Sequence, residues 1–517
     1  MLKRSMPKIF KNHYFIAFII LVAALMVAFS NIVFLGKTLT TSSLTVGTTR
    51  NGPYLYDKDK PLLPITDGGA SAWHFEPAIQ LNNQAIKKWE LPLWNPYNGA
   101  GQPLAADMQS SSFSPLTLPL NLSPTPVVWD IFLLLRLLIA GLLTFAFLRL
   151  INIKTVGAIA GAITFMLSGY LMFFINMAHL NVEILVPLML ISVEFIHRKI
   201  NPLSIFLLIF TSALVALGGM PEAAMLNFSF AFTYFVYRSF QGYKEDKKGL
   251  QVLTRSTYFL FGIIAGLMIS SIGWLPFVEY SRIFWSNHME ANKGIISLDP
   301  RHFIQYLSPV FIGVRNATYV GVIPLFLSIV TKKEHKQKWF FAIAALIIGL
   351  KLFGIGVNWL GYLPIINRVF LFKYGQVLFA ISISVLTAMA IDGGLKTSLW
   401  RVILLVPVWL GALYYFLTNA AKLFNVKQLR LDHYASLSVK WALLFLAICI
   451  LLVLIPRLFK KIKVSYIAIA TTLLIFLELW AHIPSGRAVR HDPYIAPPFV
   501  KYLQKQKGEF RTHALHA

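Results

Sequence analysis

About thirteen apolar segments, each near the length of a bilayer-crossing helix, succeed one another along this chain. They lie near 14–36, 126–148, 155–175, 180–196, 202–217, 222–237, 257–279, 318–331, 339–354, 375–391, 401–418, 436–456 and 464–481. A spanning helix needs roughly 20 mostly apolar residues, because lipid offers exposed backbone groups no hydrogen bonds. Composition agrees: 57% of the 517 residues are hydrophobic and 13% charged, against roughly 25% charged in a soluble domain. That balance excludes a water-soluble globular enzyme and a disordered chain, and a single cysteine excludes an internal disulfide framework. The predicted class is an all-α polytopic membrane protein.

Lys and Arg total 47 against 21 acids, a net charge of +26. In a soluble protein that would suggest nucleic acid; here the basic residues cluster between apolar runs, so the expected partner is the lipid headgroup layer and not nucleic acid. The amino-terminal segment 1–13, which opens with the basic MLKRSMPKIFKN, is assigned to the cytoplasm. Its following apolar run exceeds the roughly 7–15 residues of a signal-peptide core, so it is read as a retained anchor. Alternation from there places HRK at 197, YKEDKKG at 243, TKKEHKQK at 331 and RLFKKIK at 457 inside. About 23 Lys/Arg then lie on roughly 60 inner-loop residues, against about 21 on roughly 210 outer ones. The 14–481 region is thus one multi-span domain with its carboxyl terminus outside.

This topology leaves a first outer loop over 37–125, with further outer segments near 281–317 and 482–517. In the first loop, Trp73, Pro77, Leu81, Ala85 and Trp89 recur at four-residue spacing, while Asn82, Asn83, Lys87 and Lys88 occupy other positions. The pattern predicts an amphipathic helix lying on the membrane surface, with its aromatic rings at headgroup level. Glu76, on the same helix, is read as a solvated residue. PLWNPYNGAGQP follows, a run of turn-formers that implies a fixed, irregular backbone. A helix-and-turn plug sealing the bundle is the plain reading; a site carried by the loop is the sharper one.

The stretch PLWNPYNGAGQPLAADMQSSSFSPL, with Trp94-Asn95-Pro96, Gly101, Pro103 and Gln109, resembles the first-loop signature of the YfhO family of bacterial membrane proteins, within the GT-C-type glycosyltransferases. LSGYLMFFINMAHLNVEILVPLML, LGGMPEAAML, NATYVGVIPLFL and LPIINRVFLFKYGQVLFAISISVLTAMAIDGGL resemble later landmarks in the expected order, so the likeness runs from about Ile65 to about Arg511. Family members commonly continue past the pattern PFVKYLQKQKGEFR, whereas this sequence stops at Ala517. The resemblance implies a GT-C-like bundle in the plasma membrane. It also implies transfer of a sugar from a polyprenyl-phosphate donor to an envelope glycopolymer, of teichoic or lipoteichoic acid type, on the outer face. No cofactor is required by that chemistry, and a divalent metal is optional, because Arg and Lys can hold a lipid monophosphate.

Such transfer needs a carboxylate to take the acceptor proton and cations to receive charge on the departing phosphate. Asp67, in a TDGG turn after the first span, is the first candidate base; its competing role is to cap the helix that follows. Asp107 is the second candidate, as base, acceptor-orienting group or metal ligand, against a plain turn or capping role. Trp94, Asn95 and Gln109 are expected to bind substrate on the strength of the resemblance. His179 and Glu222 sit in short outer connections and either border a cavity or satisfy broken-helix backbone. Arg368 and Lys373 are the expected phosphate ligands, with interfacial anchoring as the alternative. His74 lacks a second histidine at metal-ligand spacing.

Arg136, within the second span, is expected to meet a lipid phosphate or an internal acid such as Glu183. Gly157 with Gly161, and Gly262 with Gly266, have the spacing of close helix packing. Cys449 reads as inert packing. The sequence has no P-loop, no HExxH and no cysteine cluster, so nothing points to ATP or a nucleotide sugar as direct donor. The rival reading is a transporter or lipid flippase, and a third is a non-catalytic assembly protein. Concentration of unusual sequence outside the membrane, and no evident inverted repeat, favour the transferase.

Overall fold

The computed structural model describes residues 8–41, 71–98, 100–246, 249–283, 293–307, 316–331, 334–364, 366–424, 431–459 and 461–481, with short pieces at 483, 488–489, 501–502 and 505–506. The described chain is almost entirely helical. The helices used below are α1 (Lys8–Ala28), α2 (Glu76–Lys87), α3 (Pro126–Leu150), α4 (Thr155–Met166), α5 (Val186–Arg198), α6 (Pro202–Leu217), α7 (Pro221–Asp246) and α8 (Gly249–Ile269). They continue with α9 (Ser271–Ser281), α10 (Val322–Val330), α11 (Lys338–Leu352), α12 (Gln376–Asp392), α13 (Leu399–Phe424), α14 (Leu431–Leu458) and α15 (Val464–Trp480). Among the described residues, seven helices are long and apolar enough to cross a membrane, and His13–Ala28, Pro202–Leu217 and Val464–Trp480 are shorter apolar helices. At nine residues α10 is only about 14 Å long, too short to span alone.

The bundle is organised around α12. It is apolar on every side, and its whole membrane-length window is buried, as such a helix must be. Helices α4, α10 and α11 pack around it. The α4 contact depends on small residues. A Cβ built on Gly157 would meet the Ala388 carbonyl at 2.7 Å, and one on Gly161 would meet Ser384 O and Ala388 Cβ at 2.9 Å. Gly262 and Gly266 do the same for α8 against α6, meeting Leu208 and the Ile209 carbonyl. Both glycine pairs therefore act as the spacing predicts, bringing backbones together in a solvent where apolar burial alone supplies little drive. By contrast α8 and α13 lie at the rim, with most of their apolar surface uncovered.

One end of the bundle gathers basic connections. His335 bonds the Ile151 carbonyl, Arg198 the Leu150 carbonyl, Arg457 the Thr397 carbonyl, and Tyr237 and Gln241 the Lys336 carbonyl. The opposite end carries α2 and the loop that follows it. There, β1 (Lys37–Thr38) pairs antiparallel with β4 (Ala488–Val489), and β2 (Trp94–Asn95) with β3 (Gln102–Pro103). Gly101, at φ +95°, is required in the second hairpin because the Trp94 indole lies where a Cβ would project.

Two expectations are corrected. Glu76 is not solvated: it is buried and accepts from the Thr41 amide at 3.0 Å and the Thr41 hydroxyl at 2.8 Å. Asp130 likewise accepts from Thr38 Oγ1 and the Leu39 amide, so two buried acids fix the chain after α1. Arg136 makes no direct ion pair with Glu183 among the described residues. It donates instead to the Met177 carbonyl and Asn181 Oδ1 at 2.9 Å, and to the Ile175 carbonyl.

Gly161→Val is expected to cost about 1–3 kcal/mol by overpacking the α4–α12 contact. Gly411→Ala, inside α13 where a Cβ meets nothing within 4 Å, should hold stability or raise it by up to about 1 kcal/mol, since alanine is the better helix former. Thermal unfolding of both variants in detergent checks this; equal midpoints would remove the glycine contact from the packing argument.

Candidate functional site

Helix α2 shows the protein a polar face. Asn82 Nδ2 donates to the Ser110 carbonyl at 3.1 Å and to Asn121 Oδ1 at 3.2 Å, and Ser112 donates to Asn82 Oδ1 at 2.8 Å. Asn83 Nδ2 donates to the carbonyls of Asn121 and Leu122. The stripe of Pro77 and Trp89 faces away from the protein, with Trp89 fully exposed. The two asparagines, fully satisfied in a buried setting, thus clamp residues 104–122 onto α2.

That clamp positions Asp107. Its Oδ1 accepts from the Gln109 amide at 3.2 Å, capping the 3₁₀ turn Met108–Ser110. Its Oδ2 lies 2.9 Å from His74 Nε2, on the single π turn Ser71–Phe75 that leads into α2. Burial opposes a charge on His74, but the hydrogen bond to Asp107 and that residue's negative charge outweigh it, so the imidazole pKa is raised above its ordinary 6.5. The other ring nitrogen, Nδ1, is buried with no hydrogen-bond partner among the described residues.

Gly219, at φ +98°, brings a second segment to the same place. A Cβ there would sit 2.8 Å from the Met108 carbonyl and against the Ser111 hydroxyl, so the 108–111 turn packs on the entry to α7 only because glycine leaves room. Glu222 follows in the first turn of α7 and accepts from the Phe370 amide at 2.8 Å. That bond ties α7 to the 366–370 segment, which bears Arg368.

The result is a cavity of about 800 Å³. His74, Asp107, Gln109, Glu222 and Arg368 line it, together with apolar residues that include Met225 and Phe277. Four of the residues expected from sequence, Asp107, Gln109, Glu222 and Arg368, are therefore brought to one site from three separate segments. Arg368 is exposed.

The remaining candidates lie elsewhere. Trp94 and Asn95 build the β2–β3 hairpin, where Asn95 Oδ1 accepts from the Tyr97 amide, and they do not line the cavity. His179 is buried, with Nδ1 2.8 Å from Glu183 Oε2, and Tyr170 donates to Glu183 Oε1. Lys373 Nζ stacks over the rings of Phe174 and Tyr374. These residues form a layer behind the cavity, joined to it where the Tyr374 hydroxyl meets Met220 Sδ at 3.9 Å. Asp67 lies outside the described residues. Among the described residues, no group of three His, Cys, Asp or Glu side chains could hold a metal ion.

Sequence reading missed His74 as the partner of Asp107, and Asn82 and Asn83 as the clamp. The available signal was the adjacent Asn-Asn pair on a helix otherwise rich in apolar residues. No family model, curated protein or solved structure matches the chain.

Because the folded-state pKa of His74 lies above its unfolded value, its pairing with Asp107 contributes stability below about pH 6.5, which is lost as pH rises through the folded pKa. Asp107→Asn keeps a capping side chain but removes the charge. The wild-type advantage in unfolding midpoint should therefore be largest near pH 6 and shrink toward pH 8. A constant gap across that range would contradict the pairing.

Proposed function

We propose that this protein is a membrane glycosyltransferase of the YfhO type, within the GT-C class. It would move a sugar from a polyprenyl-phosphate carrier to a cell-envelope glycopolymer of teichoic or lipoteichoic acid type. The observation that carries the reading is the convergence of Asp107, Gln109, Glu222 and Arg368, with His74, on one cavity at the end of an apolar bundle. The sequence landmarks quoted above support the family. The gathering of basic connections at the far end supports an inner face there, with the amino terminus inside and the carboxyl terminus outside. The cavity then opens at the outer face.

In this reading the acceptor hydroxyl attacks the anomeric carbon, its proton passes to a carboxylate, and the carbon–oxygen bond to phosphate breaks. The polyprenyl phosphate leaves with the bond's electrons. Asp107 is the base within the described residues, held in place by the Gln109 amide and His74. Arg368 meets the charge that builds on the phosphate. Glu222 orients the acceptor from the opposite end of the Phe370 tie. The apolar part of the wall suits the first isoprene units of the carrier. Asp67 retains its sequence-based claim to the base role.

The buried Tyr170, His179 and Glu183 set favours a transporter as the second reading, because ionisable groups within spans often mark a translocation path. They bond mainly to one another, however, which is also what a structural network requires.

Purified protein supplied with a polyprenyl-phosphate sugar and acceptor polymer should yield sugar-bearing polymer by mass analysis. Asp107→Asn should reduce turnover by roughly 10²–10⁴-fold, the usual weight of a general base. Arg368→Gln should lose at least about tenfold. If Asp67→Asn abolishes transfer while Asp107→Asn does not, the base role passes to Asp67. Vectorial uptake into proteoliposomes without a new glycosidic bond would overturn the transferase reading.

A further inference from the structure

A second cavity, of about 560 Å³, lies between α10, α11, α12 and α13, remote from the residues of the first. Its floor is α12, through Phe379, Ile383 and Leu386, and its lining is almost wholly apolar. The two charged residues that line it, Lys338 and Arg401, stand at the starts of α11 and α13 respectively. Both belong to the basic end of the bundle. From Lys338 to Leu352, α11 rises roughly 20 Å, so the cleft runs from that end deep into the bundle. Its rim is uncovered: Trp339, Leu346 and Val408 are each more than half exposed. An apolar cleft open sideways in this way faces the acyl chains of the bilayer.

We infer that this cleft seats an anionic glycerophospholipid from the leaflet at the basic end of the bundle, with its phosphate at Lys338 and Arg401 and an acyl chain along α12. Charge placement selects this occupant. A carrier lipid serving the first cavity has its phosphate at the opposite end, where the lining of this cleft offers Tyr306, Phe353 and Ile355 and, among the described residues, no cation. Arg401 is pre-positioned: its Nη1 donates to the carbonyls of Ile329 at 3.2 Å and Thr331 at 3.1 Å, which fixes the guanidinium at the mouth. Lys338 is itself buried and pairs at 3.0 Å with Glu334, whose side chain is 73% exposed, so a phosphate at this mouth competes with a solvated carboxylate for the ammonium. Lys336, two residues before Lys338, adds a further cation at the same end of the bundle. A zwitterionic lipid fills the same apolar volume without matching this charge, so headgroup preference separates specific seating from general solvation by lipid.

The test is lipid binding to the full chain in neutral detergent, read by native mass spectrometry and by thermal shift, and it does not depend on sugar transfer. Dioleoyl phosphatidylglycerol should bind about tenfold more tightly than dioleoyl phosphatidylcholine and raise the unfolding midpoint more. The double variant Lys338→Gln, Arg401→Gln should lose the preference. Ala412→Trp, which fills the cleft about three helical turns from Arg401, should weaken both lipids while the circular dichroism stays unchanged. Equal binding of the two lipids to wild type, a preference that survives the double variant, or undiminished binding of both lipids to the tryptophan variant would overturn the inference. So would displacement of phosphatidylglycerol by undecaprenyl phosphate at equal concentration, which would assign the cleft to the carrier lipid.

Discussion

Arg136 is the interaction on which the arrangement of the bundle rests. The chain between α4 and α5 is broken into short turns, so deep inside the protein the Met177 carbonyl has only a long 3.4 Å bond from the Leu180 amide, and the Ile175 carbonyl is met by Arg136. In a membrane such groups have no water to turn to, and each left unsatisfied costs several kcal/mol. Arg136 reaches across from α3 and supplies donors to both carbonyls and to Asn181. One buried cation therefore lets the helix break where a continuous helix would have filled the space. The layer of Tyr170, His179 and Glu183 behind the first cavity occupies that break.

The same requirement explains the buried acids. Glu478 on α15 accepts from the amides of Val322 and Ile323 and from the Tyr319 hydroxyl, which terminates the nine-residue α10 inside the protein. A carboxylate is favoured at a helix amino terminus both by these free amides and by the helix dipole. Glu194 receives Tyr234 and Arg238 in the same manner, and Glu76 and Asp130 hold the strand that leaves α1. Most acids of this acid-poor chain that lie within the bundle thus satisfy backbone or a buried cation. Asp107 and Glu222 differ in lining open space as well as accepting backbone amides.

The helical segments were readable in the sequence because lipid imposes both length and apolarity on them, and the close-packing glycines because their spacing has one common use. The burial of each helix was not readable. With lipid outside as apolar as the protein inside, α12 and α13 look alike in composition, although one is central and the other peripheral. The site was half legible. Asp107, Glu222 and Arg368 stood out by residue type and Gln109 only through the resemblance, but their meeting depends on Gly219, on the Asn82–Asn83 clamp and on the Glu222–Phe370 bond, all of which are contacts across long sequence separations. His74 was hidden by its company: a lone histidine on an aromatic helix carries no signal until Asp107 is placed 2.9 Å away. Glu76 misled because an acid on an amphipathic helix normally faces water.

The two cavities divide the molecule by charge. The first mixes carboxylates with a cation and an imidazole beside an apolar wall, a combination that suits a reacting polar group carried on a greasy chain. The second is a greasy slot with cations at one mouth, which suits a lipid that is held and not transformed. Helix α12 forms the floor of the second, and the segment leading toward its amino-terminal end, through Arg368 and Val369, forms part of the wall of the first. A lipid seated along α12 would stiffen the central helix without approaching the polar residues of the first cavity. The end that carries the first cavity would then be held fixed in a fluid bilayer, which keeps Asp107 and Arg368 in register across a cavity built from separate segments.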